Sequence, residues 1–321
     1  MPRKAATDDS NNTMSFSTDT KRELCSKMST RKPLQYSELY AMLLLGRTFT
    51  ADSIVFKTEN EYTFSHFIFL INTLFKPKVE VVAPARGETG RSKSYTVTLT
   101  RPADCKRVFE YYGHDSRDLS LRVNRANIED EDQQRAFIRG AFLAAGTVTD
   151  PEKSYHLEFS VSYRNLCMDL CRIIREIQDC DIAVKMLSRQ GTYIAYVKDS
   201  EQITDLLTYM GAVVASMNVM GTKALKQVRN TANRRANSEI ANLQRTAAAS
   251  AAQIRAIKKL KKSGRYNLLS EELKVVAELR YEYPELTLRE LGAMLDPPIS
   301  RSGVNHRLEK IIQKAEEEPD D

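Results

Sequence analysis

Apolar residues along the chain switch between a helical and a two-residue period, and the same series of switches comes round twice. A helical run over 36–46 (YSELYAMLLLG) leads into strand-like residues over 53–57. An apolar helix ending at Phe75 follows, then two strand-like runs over 79–82 and 95–100 joined through 83–87, and a helix over 105–112. The second pass begins at Asp132 with a helix over 137–146 (FIRGAFLAAG) and a hairpin through Asp150 and Pro151 into 156–162. A helix over 165–178, strands over 183–188 and 192–198 turning at Arg189-Gln190-Gly191, and a helix over 201–210 complete it. Both passes fit α-ββ-α-ββ-α, and the glycines that close the lead helices, Gly46 and Gly146, lie 100 residues apart. Ahead of the first pass, Ser17 or Thr18 is placed to cap a short helix. Duplicated ferredoxin-like units have the same order, so the order alone does not choose a family.

After residue 220 the pattern becomes purely helical. Residues 239–262 are rich in alanine, contain no proline or glycine, and predict a long helix stopped at Gly264. Ser270 is placed to cap a helix over 271–283 that carries Leu273, Val276 and Ala277 on one face and ends at Pro284. Thr287 and Glu290 form a capping box for a helix with Leu288, Leu291, Met294 and Leu295 at helical spacing. Asp296-Pro297-Pro298 ends that helix, and Ser300 caps the next, whose buried stripe is Val304, Leu308 and Ile311 with Ile312 beside it. Its opposite face carries Ser302, His306 and Lys310, flanked by Gly303 and Asn305, with Arg301 at the amino end. Residues 287–312 therefore have the layout of a helix-turn-helix that reads DNA. Asparagine pairs bidentately with adenine, arginine with guanine, and serine or histidine with base edges or phosphates. Arg301, Ser302, Asn305 and His306 are the candidate base readers. Arg307, nearer the core flank, and Lys310 suit the phosphate backbone.

Composition sharpens this picture in one place. The net charge is only +6, but 12 Lys or Arg against one acid, Glu239, fall between Lys223 and Arg265. Such a run neutralises several phosphates and gives sequence-independent, salt-sensitive affinity. Arg234 and Arg235, with Lys258, Lys259, Lys261 and Lys262, are the candidate phosphate contacts. Residues 1–13 are polar and expected to be disordered, and 316–321 form an acidic tail. Five cysteines without a secretory signal point to free thiols in a reducing cytoplasm. Cys167 and Cys171, one helical turn apart near Cys180, lack a fourth ligand at zinc spacing and are expected to be buried small hydrophobes. No metal or other cofactor is expected. The most apolar run, 64–75, falls short of the roughly 20 residues a membrane span needs.

Residues 138–146 (IRGAFLAAG) resemble the LAGLIDADG motif of homing endonucleases, in which small residues let two helices pack across a pseudo-twofold axis. Ala141, Ala144, Ala145 and Gly146 would serve that purpose, with 38–46 as the poorer-matching partner through Ala41 and Gly46. In those nucleases the acid before the last glycine holds the catalytic metals. Leu45 and Ala145 stand at those positions and cannot, and Asp150 better suits the start of a turn. Lys57, Arg91, Lys93, Lys185, Arg189 and Lys198 are the basic residues by which the sheets could still touch DNA.

Five segments together carry a closer likeness: MSFS before a charged helix, RGAFLAAGTVTDPEKSYHLE, EQITDLLTYMGA, RNTANRRANSEIANLQRT and LGAMLDPPISRSGVNHRLEKI. From about residue 14 to 315 the chain resembles the WhiA family of Gram-positive bacteria. That resemblance implies an α+β fold, a duplicated αββαββα LAGLIDADG homing-endonuclease-like domain without catalysis, followed by an all-α helix-turn-helix domain. The expected boundaries are 1–13, 14–220 for the LAGLIDADG-like domain, 221–264 for a basic connector, 265–315 for the helix-turn-helix and 316–321. It also implies a sequence-specific, nucleoid-associated transcription regulator tied to cell division, chromosome segregation and, in sporulating relatives, sporulation. The expected partners are double-stranded DNA and other transcription or cell-division proteins, with no membrane. One polypeptide holds both halves, so a monomer suffices. A divergent metal-dependent endonuclease and a protein-interaction scaffold are the competing readings.

Overall fold

The computed structural model describes residues 15–83, 94–117, 120–178 and 180–317. The expected disordered segment 1–13, nearly all of the joint at 83–87, Arg91, Lys93 and the last four residues of the acidic tail lie outside these. The chain divides into two compact units, Met1–Lys226 and Gln227–Asp321.

The first unit opens with α1 (Phe16–Ser26), capped by Ser15, whose hydroxyl accepts from the Thr18 amide at 3.2 Å. The cap is thus two residues earlier than Ser17, because Phe16 packs against the core and draws Ser17 into the first turn. Then come α2 (Lys32–Leu44), β1 (Thr48–Phe49), β2 (Ile54–Thr58), α3 (Glu61–Leu74), β3 (Val79–Val82), β4 (Tyr95–Leu99) and α4 (Pro102–Tyr111). The second pass is α5 (Glu131–Ala145), β5 (Gly146–Val148), β6 (Leu157–Val161), α6 (Arg164–Arg175), β7 (Lys185–Arg189), β8 (Thr192–Val197) and α7 (Ser200–Met210). Each pass makes one antiparallel sheet, ordered β1-β2-β4-β3 and β5-β6-β8-β7, so the duplication extends to strand order. The β7–β8 hairpin pairs Arg189 with Thr192 and turns on Gln190 and Gly191, both at positive φ, the backbone a two-residue hairpin loop requires. Asp150 starts a turn, its carboxylate accepting from the Glu152 amide at 2.9 Å.

The core fills the space between the sheets and the paired helices, with Tyr40, Tyr112, Phe56, Phe67, Phe137, Phe142 and Phe159 as its largest members. Helix α3 is buried along one face only, through Thr63, His66, Phe67, Leu70 and Ile71, while Phe69 is exposed. The lead helices α2 and α5 pack backbone to backbone at Gly140, where an added Cβ would lie 2.2 Å from the Glu38 carbonyl oxygen. Ala141 is buried beside this crossing, whereas Ala144 and Ala145 face a cleft instead.

That crossing also carries charge. Glu38 is 2% exposed. Its Oε1 lies 2.9 Å from His66 Nε2 and 3.0 Å from Arg139 Nε, and Arg139 Nη2 donates to the Lys27 carbonyl at 2.6 Å. A buried carboxylate is tolerated when cations and hydrogen bonds face it.

Helix α7 ends at Gly211, at φ 95°, with the Ala212 amide bonded to Leu207 O and the Gly211 amide to Thr208 O, a Schellman stop. Helix α8 follows as one run, Val213–Lys262. It begins well before residue 239, because Gly221 inside it costs only about 1 kcal/mol relative to alanine. Side chains over 229–249 are exposed almost throughout.

The second unit is all-α. Its core joins Ala256, Ile257 and Leu260 of α8 to Leu269, Leu273, Val276, Ala277, Leu291, Leu295, Val304, Leu308 and Ile311. The last turns of the basic helix are therefore one wall of the helical bundle as well as a run of charge. Among the described residues, no helix is long and apolar enough to cross a membrane.

Candidate nucleic-acid interface

Three helices build the head: α9 (Glu271–Glu282), α10 (Leu288–Ala293) and α11 (Arg301–Glu316). Ser270 stands at the start of α9 but its hydroxyl makes no capping bond there; Glu271 and Glu272 supply the first-turn negative charge. The capping box on α10 is complete: the Glu290 carboxylate takes the Thr287 amide at 2.8 Å, and Thr287 Oγ1 takes the Glu290 amide. Ser300 caps α11 by accepting from the Gly303 amide at 3.2 Å.

The turn between α10 and α11 is fixed by Gly292, which carries no signal of its own in the sequence. A Cβ there would lie 2.4 Å from the Ile299 carbonyl oxygen, and the Ile299 amide donates to Gly292 O at 3.0 Å. The strap after the two prolines lies directly on the α10 backbone. Only the missing Cβ permits it.

On α11, Val304, Leu308 and Ile311 are fully buried, Ile312 packs beside them, and Arg301, Ser302, His306 and Lys310 are exposed. Asn305 is half-buried, its Nδ2 donating to Glu309 Oε1 at 2.7 Å. That bond fixes the orientation of the amide. Arg307 lies on the flank, but its Nη2 is 3.0 Å from Glu272 Oε2, so one internal carboxylate already engages it.

The candidate phosphate contacts fall into two sets. Arg234 is exposed, and Arg235 sits 3.0 Å from Glu239 one turn on, a surface pair of small energetic consequence. Lys259 and Lys262 line an open groove of about 540 Å³ with Arg255, Lys258 and Ser263. Lys258 also lies over the Tyr281 ring. Lys261 is the exception. Its Nζ is 3.0 Å from Glu278 and it lies over the Tyr266 and Tyr281 rings, so it braces the head. The Tyr266 hydroxyl, 2.7 Å from Glu278, holds that carboxyl below the usual glutamate range, and Lys261 adds to the effect.

In the first unit, the cleft between the ends of α2 and α5 measures about 1210 Å³. Leu45 and Ala145 line it at the positions of the nuclease acids, together with Lys21, Lys57, Glu59 and Glu61. Lys21 Nζ donates to the Leu143 carbonyl at 3.1 Å, and burial pulls its pKa down to about 8. An ammonium group thus caps a carbonyl at the end of the α5 LAGLIDADG-like helix. Lys185, Arg189 and Lys198 are exposed on and beside the second sheet. Cys167 and Cys171 are buried on α6, and among the described residues no three His, Cys, Asp or Glu are grouped to hold a metal.

Comparison with known proteins agrees with both halves of this architecture. The family model described as the WhiA C-terminal HTH domain matches residues 232–315, and that described as the WhiA LAGLIDADG-like domain matches 134–229. A Clostridium perfringens protein named "Probable cell division protein WhiA" is 33% identical over 313 residues, covering 95% of this chain and 98% of its own. The Alkaliphilus metalliredigens protein of the same name is 34% identical over 315 residues, with the same shares covered. The crystal structure of full-length WhiA from Thermatoga maritima shares the fold, with a TM-score of 0.58 at 24% identity, over 96% of this chain and 100% of that one. With a third of positions identical along nearly the whole length of both chains, and the duplicated sheets followed by a helical head, this protein belongs to the WhiA family.

Proposed function

We propose that the chain is a sequence-specific, double-stranded-DNA-binding regulator of transcription that acts on the nucleoid as a monomer and catalyses no reaction. The observation that carries this reading is α11. It is capped at Ser300, held by a buried stripe, and presents Arg301, Ser302 and His306 outward with the Asn305 amide held by Glu309. A helix of that kind, set behind a tight turn, suits the major groove. The basic face of α8 adds phosphate contacts, through Arg234, Arg235, Lys258, Lys259 and Lys262, with Lys310 on α11. Arg307 and Lys261 enter this role only by leaving Glu272 and Glu278. The name the relatives bear supports a place in cell division, with chromosome segregation and sporulation as the related processes, and other transcription or cell-division proteins as further partners.

The division of labour is testable. Asn305→Ala or His306→Ala should relax preference at one base position, at about 1–3 kcal/mol each. The pair Arg234→Ala and Arg235→Ala should weaken all sequences alike and flatten the salt slope by about one unit for each phosphate left without its cation. Binding titrations across salt on matched and scrambled duplexes separate the two. Identical behaviour would remove the assignment of roles.

One observation favours a second reading, divergent nuclease chemistry: Glu59 and Glu61 line the cleft. Both lie on the β2–α3 side, however, and Leu45 and Ala145 leave the helix ends without a carboxylate. Supercoiled plasmid with Mg²⁺ or Mn²⁺ is expected to stay intact, and metal-dependent nicking that Glu59→Gln abolishes would overturn the non-catalytic reading.

A further inference from the structure

We propose that the head contains a seat for a single phosphoryl group, in a cavity behind the exposed face of α11. The cavity, about 470 Å³, lies among α8, α9, α10 and α11 and is walled by Arg245, Arg280, Arg289 and Arg301 with Gln253 and Asn305. Four arginines line one space and no carboxylate does; Arg245 Nη1 donates to Asn242 Oδ1 at 3.1 Å, which leaves its other N–H groups for an anion. Glu290 is engaged by the Thr287 amide and hydroxyl and Glu309 by Asn305, while Glu285, outside the lining, adds a favourable charge to Arg280.

Two buried side chains make this more than a basic surface. Arg280 is 1% exposed, and its Nη1 donates to the carbonyls of Tyr283, Pro284 and Leu286, at 2.8 Å for the last. Its Nε–H has no partner. Gln253 is 6% exposed, and its Oε1 has no partner either. Carbonyls solvate the Arg280 cation and Glu285 favours its charge, but no carboxylate pairs with it directly, and burial still works against the charged form. A bound anion removes that cost. Arginine's planar fork matches phosphate oxygens in pairs, and a phosphoryl oxygen accepts from several guanidiniums at once. A protonated oxygen of a phosphate monoester or of inorganic phosphate would also supply the donor that Gln253 Oε1 lacks; a phosphodiester carries no such proton and would engage the guanidiniums alone.

A DNA backbone phosphate and a free phosphorylated small molecule both carry the required group. The seat does not depend on the DNA-binding reading, although Arg301 and Asn305 belong to both.

The test uses the full chain and inorganic phosphate, titrated by calorimetry and followed by ³¹P line width at fixed ionic strength in chloride. Saturable binding at one site is expected. Arg245→Ala with Arg289→Ala, two cavity arginines outside the base-reading set, should weaken it about tenfold or more while the thermal unfolding midpoint stays put. Lys185→Ala with Arg189→Ala, on β7, should leave it unchanged. Absence of saturable binding, or equal loss in the β7 pair, would overturn the seat. Phosphate excluded by a tightly bound duplex assigns the seat to the DNA backbone, and phosphate bound alongside the duplex assigns it to a free phosphorylated molecule. Phosphate binding in a protein that binds no duplex would retain the seat and remove the DNA reading.

Discussion

Replacing Glu38 with alanine is expected to lower the unfolding free energy by about 3 kcal/mol, because it leaves the largely buried Arg139 guanidinium beside the lead helices with the Lys27 carbonyl but no carboxylate. Glu38 is 2% exposed and its Oε1 is the shared partner of Arg139 and His66. The site cannot open to water by moving the helices apart, since Gly140 of α5 rests on the Glu38 backbone carbonyl. Glu38→Gln keeps the shape and removes the charge, and should recover only part of the loss. Removing the whole set, with Glu38→Leu, His66→Leu and Arg139→Met together, should restore most of the stability, since an apolar replacement of a buried ion cluster is often neutral or better. Urea unfolding of the three variants checks the order. A loss below about 1 kcal/mol for Glu38→Ala would mean that water already reaches the cluster.

The contrast between Glu38 and its surroundings explains how much of this molecule its sequence discloses. The duplication is legible because its signals are local: helices closed at Gly46 and Gly146, alternating strands, and Gln190-Gly191 turning a hairpin. The helix-turn-helix is legible for the same reason, since Thr287 with Glu290, Ser300, and the Val304–Leu308–Ile311 stripe each act within a few residues. Glu38 meets Arg139 across 101 positions. Nothing in YSELYAMLLLG marks its one acid as a buried ion-pair partner rather than a solvated side chain. The small residues of α5 stand out in the sequence, but Gly140 is the one that rests on the α2 backbone, while Ala144 and Ala145 line the cleft. Packing between elements also accounts for the differences in the head. The acids that engage Arg307 and Lys261 come from α9, and the carbonyls that hold Arg280 come from the turn after it, so charge counting along α8 and α11 does not find them. The start of α8 is hidden by Gly221, which punctuates the sequence but not the helix.

The largest expected effect on binding follows from removing the outward face of α11 as a unit. Arg301→Ala, Ser302→Ala, Asn305→Ala and His306→Ala combined in the full chain should erase the preference for a selected duplex over a scrambled one, a ratio of about 10³ or more for specific DNA-binding proteins. The fold should survive. None of the four belongs to the buried stripe, the cap at Ser300 is untouched, and alanine favours helix. Affinity for scrambled DNA should fall much less, because the Lys and Arg of α8 and Lys310 remain, and its steep salt dependence should persist. Competition binding with both duplexes at one salt concentration measures the ratio. Retained preference would transfer base reading to the first unit, where Lys57, Lys185, Arg189 and Lys198 accompany the two sheets, and would leave α11 as a packing helix. Loss of affinity for both duplexes in equal measure would identify the four as backbone contacts. The predicted pattern, preference erased with general affinity kept, arises only if α11 reads base edges while α8 grips phosphate.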